Sequence, residues 1–532
     1  MNLSTFLAHH GLATNPFAAE EARQDEVFAR LEEVEGNEFR HPDFDKIAGD
    51  LARPGSAVVF GERGTGKTAI RLQLARRIAE HNRVERTHRV MSIVHDDFDA
   101  MLRAMARRGG DPVAALRTLT LSDHMDAILQ LAVPALVDRI LDPRSGDGAP
   151  AGAVQLQLDD DARRRARELD PRVRDGLLVL QACYDRPDGA ARRTSRLRRR
   201  LRRGAAHAQA PLLWLAGLLA AAAVAAAIIA ITFAPGRQER TILDSGAAAL
   251  GLIAVLSAAI WGWRWLVRAR LASRLSRALR VADRPAEALR ASLGALPRLT
   301  ELATHFPGPP GAGSTAASGA GSGAASASGS DDERRFAMFA KLLEALRGLG
   351  HSGIIVMVDR VDEPMAVAGD VERMRLLIWP LLSSRFLQQD GVGVKLLLPL
   401  DLRPHVMRES TEFFRGARLD KQNFVDRLGW AGATLYDLCT ARINACRAAG
   451  AAPISLMSFF DEGMRQQDVV DALDQLQQPR DAMKFLYALV QEHCTATPEE
   501  SPQWRIPKPT FDAVRRRQVE RMQEMLKGVR PG

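Results

Sequence analysis

Residues Gly61 to Thr68 read Gly-Glu-Arg-Gly-Thr-Gly-Lys-Thr and satisfy the phosphate-loop pattern G-x-x-x-x-G-K-[ST]. Such a loop binds phosphate through its backbone. Gly61, Gly64 and Gly66 let the chain turn its N–H groups inward, and Glu62, Arg63 and Thr65 supply the amides between them. Lys67 is spaced to reach β and γ phosphates, and Thr68 to ligate magnesium. The expected ligands are a nucleoside triphosphate and Mg2+. ATP is expected over GTP because no Asn-Lys-x-Asp guanine motif occurs.

A second set of residues supplies acids. Gly353-Ile354-Ile355-Val356-Met357-Val358-Asp359 is an apolar run ending in a carboxylate, followed by Arg360-Val361-Asp362-Glu363-Pro364. This fits a Walker B strand, with Asp359 as the magnesium-side acid and Asp362 or Glu363 polarising the attacking water. A further run, Val394 to Leu400, ends in Asp401 and Arg403, where a γ-phosphate sensor would sit; a polar turn after a buried strand reads equally well.

These residues need elements that hold them. Before the loop, Ser56 to Phe60 is a short apolar run behind the breaker pair Pro54-Gly55, the pattern of a buried parallel strand. After it, Ala69, Ile70, Leu72, Leu74, Ala75 and Ile78 recur at helical spacing. The expected fold is α/β, a three-layer αβα parallel sheet with a helical lid, interrupted by a helical insertion.

Taken together, the motifs resemble those of AAA+ ATPases, and most nearly the KAP family of membrane-associated P-loop NTPases, in which membrane helices are inserted between the Walker A and Walker B motifs. The likeness covers about residues 11 to 97 and 336 to 495. Asp359-Arg360-Val361-Asp362-Glu363 is also similar to the Asp-x-x-Asp-Glu run of signal-transduction NTPases. The resemblance implies that Pro479-Arg480-Asp481 opens a sensor 2 helix with Arg480 on the γ-phosphate. It also implies that Gly11-Leu12-x-x-Asn15-Pro16-Phe17 packs near adenine. Arg415 and Arg418 lie in the part of the chain where an arginine finger from a neighbouring subunit would fall, although each reads equally as a surface charge. Arg360 departs from the family pattern, since many AAA+ enzymes carry the catalytic Glu there.

Pro211 to Ala234 is uncharged and apolar, long enough at about 1.5 Å per residue to cross a hydrocarbon core of about 30 Å. Ala247 to Val267 is a second such run, with Trp261, Trp263 and Trp265 suited to an interfacial belt. Arginines 192, 193, 196, 198, 199, 200, 202 and 203 precede the first run, and 268, 270, 274, 277 and 280 follow the second. By the positive-inside rule this predicts a two-helix hairpin with both termini cytoplasmic. Met1 to Phe17 lacks the basic start and long apolar core of a signal peptide. High Ala, Arg and Gly content is associated with a GC-rich bacterial source, so the expected location is a bacterial inner membrane.

The chain has 532 residues, 46% of them hydrophobic, enough for two or three domains with a real core. Its net charge is +9, and removing the eight arginines of 192–203 leaves +1. That block is expected to face anionic lipid, with nucleic acid the less favoured partner. Four dispersed cysteines and twelve histidines form no ligand cluster. The expected organisation is 1–97 and 336–430 for the two parts of the ATPase core, and 98–210 for the helical insertion. The hairpin takes 211–267, an amphipathic segment 268–305, a flexible Gly/Ser/Ala linker 306–335, and a helical lid and tail 431–532. The expected function is a membrane-anchored ATPase that works as a conformational switch or assembly motor, in bacterial defence or signalling, as a homo-oligomer with a further protein partner. The alternative is a nucleotide-gated scaffold or DNA-handling factor with little hydrolysis.

Overall fold

The computed structural model describes residues 1–18, 22, 25–33, 39–107, 110–142, 153–159, 161–201, 237–282, 284–294, 296, 323–382, 385–420 and 423–526, with 217–218, 221–222, 224–225 and 228. Six strands form one sheet in the order β3-β2-β4-β5-β1-β6. They are β1 (Ala57–Gly61), β2 (Arg89–His95), β3 (Val154–Gln155), β4 (His351–Val358), β5 (Val392–Pro399) and β6 (Phe424–Val425). All pair in parallel except β3, which runs antiparallel to β2. The near-continuous apolar sequences of β1, β4 and β5 follow from burial on both faces, the rule for parallel sheets.

Register aligns the carboxyl ends of these strands. Gly61 lies opposite Pro399, and Val358 opposite Leu396. The turn after β1 and the acid after β4 therefore open on one edge, with β5 between them.

On one face of the sheet, Val59, Ile355, Met357 and Leu397 pack against Ile70, Leu74 and Ile78 of the Lys67–Val84 helix and against Phe44 and Ile47. On the other face, Phe60, Ile354, Val356 and Leu398 share a core with helices Leu121–Leu141, Pro171–Tyr184 and Gly323–Gly348. The segment 98–201 is thus part of the main core, and it lends the sheet its antiparallel edge. A third cluster joins Phe6, Leu12, Phe17 and Val27 to residues between Trp430 and Val514. Phe6 to Phe17 and Val27 consequently pack with the helices after Trp430, whereas the sequence suggests one unit from 1 to 97.

Three further expectations change. The linker 306–335 is helical at least from Gly323, where a helix runs to Gly348. At the linker's end Arg335 is buried and gives two hydrogen bonds to Asp126, at 2.8 and 3.0 Å, which ties this part of the helix to the core. Residues 306–322 lie outside the described residues. The basic block is partly built into the core as helix Ala190–Arg200, whose Thr194, Leu197 and Arg198 are buried and whose Arg193 pairs with Asp138 and Asp185. Arg192, Arg196 and Arg199 remain exposed.

The two-span, multi-pass location is overturned. Among the described residues one helix alone, Leu252–Ala278, is long and apolar enough to cross a membrane, and only by length and composition. It belongs to a single helix from Arg237 to Ala278 whose later residues Leu271, Ala272 and Leu275 are buried in the main core. The apolar run is therefore continuous with a core element. The first expected span, 211–234, falls almost wholly outside the described residues.

Candidate functional site

The turn after β1 is shaped by two residues in the left-handed region, Gly64 with φ 99° and Gly66 with φ 92°. A side chain at Gly64 would also collide, since a Cβ there would sit 2.8 Å from Gln478 Oε1. Gly66 then caps the Lys67–Val84 helix, whose N-terminal end faces the edge where the strands open. Backbone N–H groups at such a helix start carry positive potential.

Lys67 curls back over its own loop. Its Nζ donates to the carbonyls of Gly61 at 2.7 Å and Glu62 at 2.9 Å. Burial pushes this ammonium below its usual range, against the pull of Asp362, Asp359 and Asp401, while Arg480 adds to the lowering. Next along the helix, Thr68 Oγ1 donates to Asp359 Oδ2 at 3.0 Å, and Arg71 Nε donates to the same oxygen at 3.1 Å. Asp359 is 1% exposed. Burial raises its carboxyl, and Arg71 opposes that most strongly, followed by Thr68. The other oxygen, Oδ1, accepts from the Arg360 amide at 3.0 Å.

A cavity of about 630 Å³ opens over these groups. Arg63, Gly64, Gly66, Lys67, Thr68, Asp359, Arg360, Asp362, Glu363 and Arg480 line its polar part. Phe28, Leu31, Phe39, Trp430, Leu438 and Met483 line a more apolar part, where the Phe39 and Trp430 rings lie nearly parallel, their planes 15° apart. Gly61, Glu62 and Thr65 stand behind the loop and tie it to the lid. Glu62 accepts from Arg427 at 2.8 Å and from Gln478 at 2.5 Å, and Trp430 Nε1 donates to the Thr65 carbonyl at 2.8 Å.

Most of the expected site residues are thus brought together, including Arg480, whose Nε is buried without a hydrogen-bond partner. Arg415 and Arg418 are not; both are exposed and neither lines the cavity. Arg403 is committed to Asp426, at 2.6 and 2.7 Å, and Asp401 is exposed nearby. Residues 11 to 17 pack on the lid instead of in the cavity: Ala13 N donates to the Cys446 carbonyl, and Arg442 Nε to that of Pro16. Their successor, helix Glu26–Glu33, lines it with Phe28 and Leu31.

The sequence reading omitted Arg71, Phe39, Trp430 and Gln478. Arg71 had a signal, because three residues after Thr68 is the same helix face. Trp430 and Gln478 had none, for they reach the loop only through tertiary folding.

For a metal, Thr68 and Asp359 offer a hydroxyl and a carboxylate, hard oxygen donors that suit Mg2+. Among the described residues no group of three or more His, Cys, Asp or Glu is gathered for a metal. Magnesium bound beside phosphates needs few protein ligands, so this donor set fits it.

Fold and site together define a mixed α/β protein with a six-stranded, mostly parallel sheet and a lidded cavity at the carboxyl edge of its strands. Comparison with family models, with curated proteins and with solved structures returned no match.

Proposed function

We propose that this chain is a P-loop ATPase of the AAA+ type, similar to KAP proteins, which binds Mg2+ and ATP and uses binding and hydrolysis as a conformational switch. One observation carries the reading: Lys67, held on its own loop, lies beside the Thr68–Asp359 hydrogen bond within a single cavity. Ligands of open α/β sheets bind outside the carboxyl ends of the strands, where this cavity sits. In the free chain the loop carbonyls hold Lys67 in place; when phosphate arrives, its anionic oxygens compete for that ammonium and the loop amides surround them. Thr68 and Asp359 would hold the magnesium, which neutralises phosphate charge.

The apolar part of the cavity, with Phe39 and Trp430, suits the flat face of a base. The lid contacts at Glu62, Gly64 and Thr65 give the loop a direct mechanical link to residues 430–480. A change of loop geometry on nucleotide binding would pull on that link, which is the switch we propose.

Binding of a fluorescent ATP analogue, with and without Mg2+, tests the reading. Saturable binding that Lys67→Ala removes is expected; equal affinity in wild type and variant would overturn it. A scaffold with little hydrolysis is the second reading. It is favoured by Arg360, which follows the Asp359 acid directly and is ion-paired with Glu363. We further propose that the chain works as a homo-oligomer with a protein partner.

A further inference from the structure

Arg71 is a buried cation close to the N-terminal end of the Lys67–Val84 helix, where the backbone already gathers positive potential. The first turn of that helix carries no acid to offset it. A guanidinium that is 5% exposed needs a counter-charge, because an isolated buried charge is costly. Asp359, just beyond the end of β4, supplies it: Arg71 Nε donates to Oδ2 at 3.1 Å, and both side chains are almost fully covered.

The oxygen that Arg71 uses is also the one that Thr68 uses. Thr68 Oγ1 donates to Oδ2 at 3.0 Å and the Arg360 amide donates to Oδ1 at 3.0 Å, so the carboxylate holds three donors in the free chain. Residues 68 and 71 lie one helical turn apart, which lets both reach one carboxylate. Their positions relative to the cavity differ. Thr68 and Asp359 line it, whereas Arg71 is not among the described residues that do. A ligand in the cavity therefore meets the hydroxyl and the carboxylate, and the guanidinium acts on it through Asp359.

This arrangement fixes the charge that a phosphate would meet. An ionised Asp359 with no cation beside it would face metal-free phosphates with a like charge, and like charges repel strongly in a site shielded from water. A bound metal would remove that conflict. Arg71 removes it in advance, being a cation at every pH a protein meets. The same bond occupies part of Oδ2, so a divalent ion finds in Asp359 a weaker ligand than an unpaired carboxylate would be.

We infer that Arg71 is a built-in counter-cation for Asp359, a positioning residue that makes nucleotide binding nearly independent of magnesium and leaves the metal a separate, weaker step. This rests on the proposed nucleotide site. Arg71 touches neither phosphate nor metal. The chain is then loaded with nucleotide whether or not magnesium is present, and the metal governs turnover alone.

The test is the affinity of the full chain for a fluorescent ATP analogue, measured in excess EDTA and again in saturating Mg2+. In wild type the two dissociation constants should agree within about threefold. Arg71→Gln should weaken binding in EDTA by about tenfold or more and be rescued by Mg2+, because the uncovered carboxylate repels phosphate until a metal covers it. Arg71→Lys, which keeps the charge, should stay near wild type in EDTA. Combining Arg71→Gln with Asp359→Asn removes both charges, so affinity in EDTA should return toward the wild-type value. Mn2+ binding to the nucleotide-loaded chain, followed by electron paramagnetic resonance, should be tighter in Arg71→Gln than in wild type. A merely structural Arg71 would lower both affinities alike and leave their ratio unmoved, and that result overturns the inference. Should Arg71→Gln fail to fold in a melting control, a folded double variant that still binds poorly in EDTA overturns it instead. Wild-type binding that appears only with Mg2+ overturns the inference and leaves the nucleotide site standing; no binding in either buffer overturns both.

Discussion

The cavity wall and the helical segment between residues 98 and 335 are both rich in Asp and Arg, yet they use them in opposite ways. In the helical segment the buried carboxylates Asp123, Asp126 and Asp185 are each matched with a cation. Asp126 accepts from Arg335 and from Tyr184 at 2.7 Å, Asp185 takes both Arg193 and Gln181, and Asp123 is paired with Arg280. At the cavity, Arg480 Nε has no partner and Lys67 rests on neutral carbonyls, while Asp359 is paired with Arg71 and Glu363 with Arg360. Composition alone does not separate these regions. What separates them is that the helical segment matches these buried carboxylates with cations, while the cavity holds two cationic groups, Lys67 Nζ and Arg480 Nε, without an ion pair.

The comparison can be broken at either end. Lys67→Ala should give the largest effect, a loss of ATP affinity of about 100-fold or more, because a charge-assisted contact to phosphate disappears while the fold loses only two part-buried hydrogen bonds to loop carbonyls. Titration with labelled nucleotide, with a melting curve as control, reads both. In the helical segment the same kind of substitution should have the reverse signature. Arg335→Ala leaves Asp126 buried and unpaired, so stability should fall by about 3–5 kcal/mol in a urea or thermal melt. Asp359→Asn sits between the two, since its carboxylate serves both Arg71 and the proposed magnesium. Binding of nucleotide should persist, and magnesium-dependent turnover should be lost; turnover equal to wild type would remove Asp359 from the site.

The junction of the regions titrates. His95, at the end of β2, contacts His124 across 3.2 Å, and His124 contacts the Leu377 carbonyl at 2.8 Å. Burial is the chief cause that lowers His95 to about 3 and His124 to about 4, from an ordinary value of 6.5. The unfolded chain therefore binds protons that the folded chain refuses. Stability should be full above about pH 6.5 and fall as pH drops toward 4, by up to roughly 1.4 kcal/mol per pH unit for each histidine. Melting temperature across that window, in wild type and in His95→Gln with His124→Asn, should show the slope flatten in the double variant. The smallest effect is expected at Arg415→Ala, on the exposed Thr411–Gly416 helix: stability within about 0.5 kcal/mol and nucleotide affinity unchanged. A turnover per molecule that rises with protein density in wild type but not in this variant would show an arginine supplied between subunits.

Legibility followed sequence distance. The loop from Gly61 to Thr68 could be read because its chemistry lies in eight consecutive residues, and β4 because an apolar run stops at Asp359. Strand β3 could not, since Val154–Gln155 is too short to show a pattern and gains its strand character from pairing with β2. Arg335 read as part of a flexible linker because the Gly, Ser and Ala before it carry no signal of the Asp126 carboxylate more than two hundred positions away. The apolar run at 247–267 overlaps the one helix among the described residues that is long and apolar enough to span, and its exposed Leu252, Val255 and Trp263 lead into a helix end buried at Leu271 and Leu275. A stretch suited to lipid and one that feeds a buried helix end look alike until the neighbours of Leu271 and Leu275 are known. At the cavity, the loop half was legible and the lid half, Trp430 and Gln478, was not.

The lid's core has one more consequence, and it concerns time. Phe6, Leu12, Phe17 and Val27 pack with Phe459, Phe485, Leu489 and Phe511, so the cluster closes only when both ends of this sequence are present. During synthesis the early segment waits, its apolar side chains uncovered, while some four hundred residues are added at about 5–20 residues per second. The sheet that carries the Gly61–Thr68 turn lacks β5 and β6 for most of that interval too. The cavity is thus among the last parts of the molecule to form, and a ribosome stalled before residue 430 would hold a chain whose loop is complete in sequence and has no lid to grip it.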